Sequence, residues 1–172
     1  MSFKTEINSR TKKDNFWQAS NLVKMALFIA LSGIGAWFPF PSPIGTVALD
    51  AAPGYFLSLM AGGWQGAIVL CLGHLISAFK MGFPLGPIHI LIGFLMGGCG
   101  LVVSYLHQRF NRVIIIVVGA LLNGVGVTGL LIPLVGMGFF VGMTPVLLLA
   151  SVVNITLAVL LYRLLKEKVD QI

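Results

Sequence analysis

The chain has 172 residues, 58% hydrophobic and only 9% charged, with a mean hydropathy of +0.99. An ordinary soluble domain is excluded, because its surface needs far more charge; a β-barrel is disfavoured, because the apolar runs lack its alternation. The formal charge of +6 invites a nucleic-acid reading, but its distribution, taken up below, answers to a membrane instead. The expected fold class is an all-α integral membrane protein.

Residues 1–15 form a polar segment carrying Lys4, Arg10, Lys12 and Lys13, expected to be disordered or to lie at lipid headgroups. The apolar run that follows leads into Phe38-Pro39-Phe40-Pro41, which is no small-residue cleavage site, so it reads as a retained helix over 16–38. That length suits a hydrocarbon core needing ~20 residues. The prolines at 39, 41 and 43 enforce an extended loop.

The segment 46–61 is short for a span and is interrupted at Pro53-Gly54, with Asp50 placed where an N-cap would stand. Non-helical backbone at that depth is tolerated only beside a cavity or other protein. Gly62-Gly63 turns the chain into a third helix, 64–80. The run Gly82-Phe83-Pro84-Leu85-Gly86 forms a loop, and Pro87 suits the first turn of a fourth helix, 87–107. A polar link at 108–112 leads to a fifth helix, 113–134, and Gly136-Met137-Gly138 to a sixth, 139–164. The expectation is therefore one domain, 16–165, of six transmembrane helices, flanked by polar segments 1–15 and 166–172. The count is five if 46–61 only dips into the membrane.

With six spans, both ends share a side with the turns at Gly62 and Gln108. That side collects every lysine and arginine except Lys80, so the positive-inside rule puts both termini in the cytoplasm of a bacterial plasma membrane. The basic charge is then a topology signal with some attraction to anionic headgroups, and nucleic acid is not an expected partner. The prolines gather in or near the opposite, outer half, the arrangement expected of a cavity opening outward.

Asp50 is the only acid outside the cytoplasmic segments; it contacts a ligand, caps the broken helix or pairs with Lys80. Lys80 lines the site or snorkels to the headgroups. His89 opens the fourth helix on the outer side, and His74, deeper in the third, suits an interhelical hydrogen bond or a ligand. Asn123 and Asn154 lie mid-helix and bridge helices or face the cavity. Trp17, Trp64, Tyr105 and Tyr162 read as inner-interface belt residues. Trp37, Phe38, Phe40 and Tyr55 anchor the outer side or stack on a flat ligand. The candidate substrate-binding set is Trp37, Phe40, Asp50, Tyr55, His74, Lys80, His89 and Asn123.

Other chemistries lack their residues. There is no G-x-x-x-x-G-K-[ST] loop for ATP, no H-E-x-x-H and no cluster of acids. Cys71 and Cys99 sit in apolar runs without metal-ligand spacing, as reduced core residues. No metal, cofactor or enzymatic activity is expected. Inverted repeats of a secondary transporter are not evident. In the first helix Ala26, Ala30 and Gly33 fall on one face, where small residues permit close helix approach, within this bundle or to a partner.

Taken with Ala26-Leu27-Phe28-Ile29-Ala30, these features resemble the S component, the substrate-binding membrane subunit, of energy-coupling factor (ECF) vitamin transporters. The resemblance covers nearly the whole chain. The segments Gly45-Thr46-Val47-Ala48-Leu49-Asp50 and Gly73-His74-Leu75-Ile76-Ser77-Ala78, followed by Gly82-Phe83-Pro84-Leu85, are similar to a branch associated with the cobalamin precursor α-ribazole. The resemblance implies outward capture of a vitamin, docking through Ala26 and Ala30 onto a T subunit, and toppling driven by two ATPase subunits. A self-contained carrier or channel, or an S component for another vitamin, are the alternatives.

Overall fold

The computed structural model describes residues 16–169; the expected polar segment 1–15 and the last three residues lie outside the described residues. Within them every regular element is a helix: α1 (Ala19–Gly35), α2 (Ala52–Met60), α3 (Gly63–Lys80), α4 (Ile88–His107), α5 (Arg112–Leu130) and α6 (Ile132–Val169). The all-helical expectation and the six segments hold. Three of them, α4, α5 and α6, are long and apolar enough to cross a membrane, and α1 is a shorter apolar helix.

Several boundaries have local causes. The Asn111 side chain accepts from the Ile114 N–H at 3.0 Å and so caps α5, one of the donors a helix start leaves unmatched. Pro87 stands one position earlier than expected, at the N-cap of α4. The α3–α4 loop turns through left-handed backbone at Gly82, Phe83 and Gly86, and the Phe83 N–H closes α3 on the Ala78 carbonyl. Gly136 (φ 84°, ψ 167°) breaks the start of α6 where the Gly-Met-Gly sequence points. Beyond it the helix runs to Val169, five residues past its expected end. Inside α5, residues Leu122–Val127 form a wider π-helical turn.

α2 is the shortest of the six and the most enclosed. It packs against α1, α3, α4 and α6, and seven of its nine residues are buried. A helix apolar all round belongs inside a bundle. At 1.5 Å per residue it extends only about 13 Å, less than half of a ~30 Å hydrocarbon core. Close approach to α3 is made possible by glycine: a Cβ on Gly66 would run into the Ser58 backbone, and one on Gly54 would lie 2.9 Å from the Leu70 backbone nitrogen. The main apolar core surrounds Tyr55, Phe56 and Leu59 and reaches Val103 of α4, Ile115 of α5 and Ile155 of α6. A separate small cluster, Val47 with Met143 and Ala150, joins the chain before α2 to α6, with Phe40, Ile44 and Phe139 around it.

Candidate functional site

The site begins with the proline-rich loop. Its prolines forbid a helix, and the backbone folds back on itself as a narrow hairpin: Phe40 N–H donates to Val47 O at 2.9 Å, and Leu49 N–H to Phe38 O at 3.2 Å, around a Pro39–Ala48 bridge. Gly45 takes the left-handed backbone at the tip (φ 66°) and donates its N–H to the Ser42 hydroxyl at 3.1 Å. From the hairpin the chain descends through Thr46–Ala51, buried but non-helical, to α2.

Buried non-helical backbone must find partners outside itself. Two side chains supply them. Ser77 of α3 donates to Thr46 O at 3.1 Å. Asn154 of α6 accepts from Ala52 N–H at 2.7 Å and donates to Ala48 O at 3.0 Å and Ala150 O at 2.9 Å. The helix-start donor that Asp50 was expected to satisfy is satisfied by an asparagine 102 residues away, and α2 has Ala51 at its N-cap with no side-chain cap of its own. This corrects the capping role proposed for Asp50.

Between this segment and α3–α6 lies a partly enclosed cavity. It is narrow: the centre of a water-sized sphere has about 50 Å³ to occupy within it. Its lining is mostly apolar, with Ile92 and Met96 of α4, Val127 and Leu131, and Phe139 and Met143 of α6. Among these stand the polar residues Asp50, His74, Asn123, Thr128, Ser151 and Asn154. Most of those polar atoms are already engaged. Asn123 Nδ2 donates to the Ser151 hydroxyl at 2.9 Å, which donates to Leu147 O at 2.6 Å. Thr128 Oγ1 bonds to Gly124 O at 2.6 Å and lies 3.0 Å from Thr144 Oγ1.

Asp50 is different. It is 5% exposed, with Ser77 and its own and Ala51's backbone N–H groups nearby, yet Oδ2 has no hydrogen-bond partner among the described residues. A buried carboxylate oxygen left unmatched carries its full desolvation cost. No ion pair with Lys80 forms: the Lys80 ammonium donates to Ala36 O at 2.7 Å and sits 4.4 Å from the centroid of the Trp37 ring.

His74 lines the cavity, and His89, fully buried, stands behind it. Their rings meet through His74 Nε2 and His89 Nδ1 at 3.2 Å, and the Leu85 N–H donates to His89 Nε2 at 3.3 Å. With both rings neutral the tautomers follow: His89 Nε2 accepts, so its proton is on Nδ1 and is donated to His74 Nε2, and His74 carries its own on Nδ1. The α3–α4 loop thereby orients a histidine at the cavity wall through one intermediate ring.

Of the eight predicted substrate contacts, the structure brings Asp50, His74 and Asn123 to the cavity. His89 supports His74. Tyr55 is fully buried in the core, Phe40 packs on the hairpin–α6 cluster, and Trp37 is 71% exposed beside Lys80; none of these four, Lys80 included, lines the cavity. Ala26 and Ala30 lie on the exposed face of α1, while Gly33 is half-buried, facing Ile76 of α3. The small hydroxyls Thr46, Ser77, Thr128 and Ser151 were not singled out from sequence. One signal was available: Ser151 and Asn154 are three apart, on one helix face. Among the described residues no three His, Cys, Asp or Glu side chains group as a metal site. Comparisons with protein-family models, curated proteins and solved structures return no match.

Proposed function

We propose that this protein is the substrate-binding membrane subunit of an ECF-type importer. It captures a vitamin or vitamin precursor, with α-ribazole or another cobalamin-related compound as best candidate, and delivers it through a T subunit and two ATPase subunits. The observation that carries this reading is the cavity beneath the hairpin, lined by mixed apolar and polar side chains that include the buried Asp50. Helices of membrane length and apolarity support placement in a bilayer. The charge asymmetry of the sequence supports a multi-pass arrangement with both termini cytoplasmic and the hairpin outside. The exposed Ala26 and Ala30 support α1 as the face that meets the T subunit, as the resemblance implies.

The test is mass spectrometry of the small molecule released from protein purified in mild detergent, followed by titration of that compound. A cobalamin-related compound bound one to one supports the reading. Ala26→Leu with Ala30→Leu should abolish co-purification with a T subunit while leaving ligand binding intact. Uptake into liposomes by the chain alone, without nucleotide, would point instead to a self-contained carrier or channel.

A further inference from the structure

The charges around the cavity constrain what it can hold. Among the described residues, one carboxyl group, that of Asp50, lines the cavity, and no lysine or arginine does. The nearest candidate, Lys80, is turned away, held by Ala36 O and the Trp37 ring. A phosphate or carboxylate bound here would enter a poorly solvated space with no counter-charge, beside a group that is itself an acid. Desolvation of such an anion is not recovered without a hydrogen-bonded partner of opposite charge.

The hydrogen-bonding capacity left over is equally specific. The Asn154 amide is used on three backbone groups, Asn123 Nδ2 is given to Ser151, and Thr128 Oγ1 meets Gly124 O and Thr144. Asp50 Oδ2, 5% exposed with its residue, remains without a donor. His74, in the tautomer set by His89 and Leu85, carries its N–H on Nδ1 and also lines the cavity. Most of the remaining lining is aliphatic.

We infer that the cavity selects an amphipathic ligand that bears no negative charge and donates an O–H or N–H to Asp50 Oδ2, so that it takes a free alcohol, nucleoside or amine and rejects the phosphate ester or carboxylate of the same compound. This rests on the cavity being the substrate site proposed above. The selectivity comes from two separable sources: Asp50 rewards the donor, and the missing cation excludes the anion.

The experiment uses the full chain in detergent and calorimetric titration with α-ribazole and with its 5′-phosphate. The free nucleoside is expected to bind at least about a hundredfold more tightly than the phosphate, the discrimination expected when a buried charge lacks a partner. Asp50→Asn should weaken the nucleoside by about tenfold, the upper range for one lost hydrogen bond. Equal affinity for nucleoside and phosphate in the unmodified protein overturns the inference, whether or not the variant folds, and leaves the importer reading standing. If neither compound binds, the α-ribazole assignment fails, and the same rule is judged by thermal shift on matched pairs of other nucleosides, amines and alcohols with their phosphates or carboxylates. Stabilisation by the uncharged or cationic members alone supports it. Stabilisation by the anions, or by no member, overturns it.

Discussion

Asn154 does at the residue scale what the sequence assigned to Asp50. Its amide meets an N–H and two carbonyls, and it is 2% exposed, so no solvent replaces it if it is removed. Asn154→Leu keeps the volume roughly and strands Ala52 N–H and Ala48 O; the expected loss is about 2–4 kcal/mol, read as a lowered unfolding midpoint in detergent. Asn154→Asp should be no rescue, because an acid cannot donate to Ala48 O when ionised. A second expectation concerns the histidine pair. His89→Phe preserves a ring against Phe83 but removes the acceptor for Leu85 N–H and the donor to His74, so ligand affinity should fall several-fold with a smaller change in stability, measured by titration beside thermal unfolding. The sequence made the interest of these polar residues legible, since polar groups in apolar runs need a reason. It could not say which partner each one meets: a bond spanning 102 residues leaves no mark in local spacing.

At the scale of elements, the helices were readable from apolar run length and from glycine and proline punctuation, and most ends fell within a few residues. The π turn in α5 was not. In an α-helix residues five apart differ by about 140° around the axis, so Asn123 and Thr128 would face different ways; the wider turn brings both to the cavity, consistent with the frequent placement of such turns at functional sites. Glycine offers a sharper test of element packing. Gly66→Ala would push a Cβ into the Ser58 backbone of α2, whereas Gly98 of α4 faces open space. Backbone cannot yield as a flexible side chain does, so Gly66→Ala is expected to destabilise by roughly 1–3 kcal/mol. Gly98→Ala should be neutral or slightly stabilising through helix propensity. Fluorescence-detected size exclusion after graded heating distinguishes the two; equal midpoints would mean that α2 and α3 are not in contact as described.

For the whole molecule, the question is which end of the bundle faces which side of a membrane. The hairpin tip, the end of α3 and the start of α4 belong to one end, marked among the described residues by Lys80 as its one lysine or arginine; Arg109, Arg112 and Arg163 belong to the other. In the multi-pass arrangement proposed above, the non-helical chain before short α2 would be shielded from hydrocarbon by Asn154, Ser77 and the hairpin cluster. The positive-inside rule would then put the hairpin end outside. Single cysteines introduced at Pro43, Pro84 or Gln108, all exposed, in a background lacking Cys71 and Cys99, turn the assignment into a labelling experiment. In intact cells a membrane-impermeant maleimide should modify the cysteines at 43 and 84, and reach that at 108 only after permeabilisation. Labelling of 108 alone would invert the protein and close the cavity to an external ligand. Labelling of all three in intact cells would remove the barrier between the ends, and with it the account of the lone Lys80 and an uptake function.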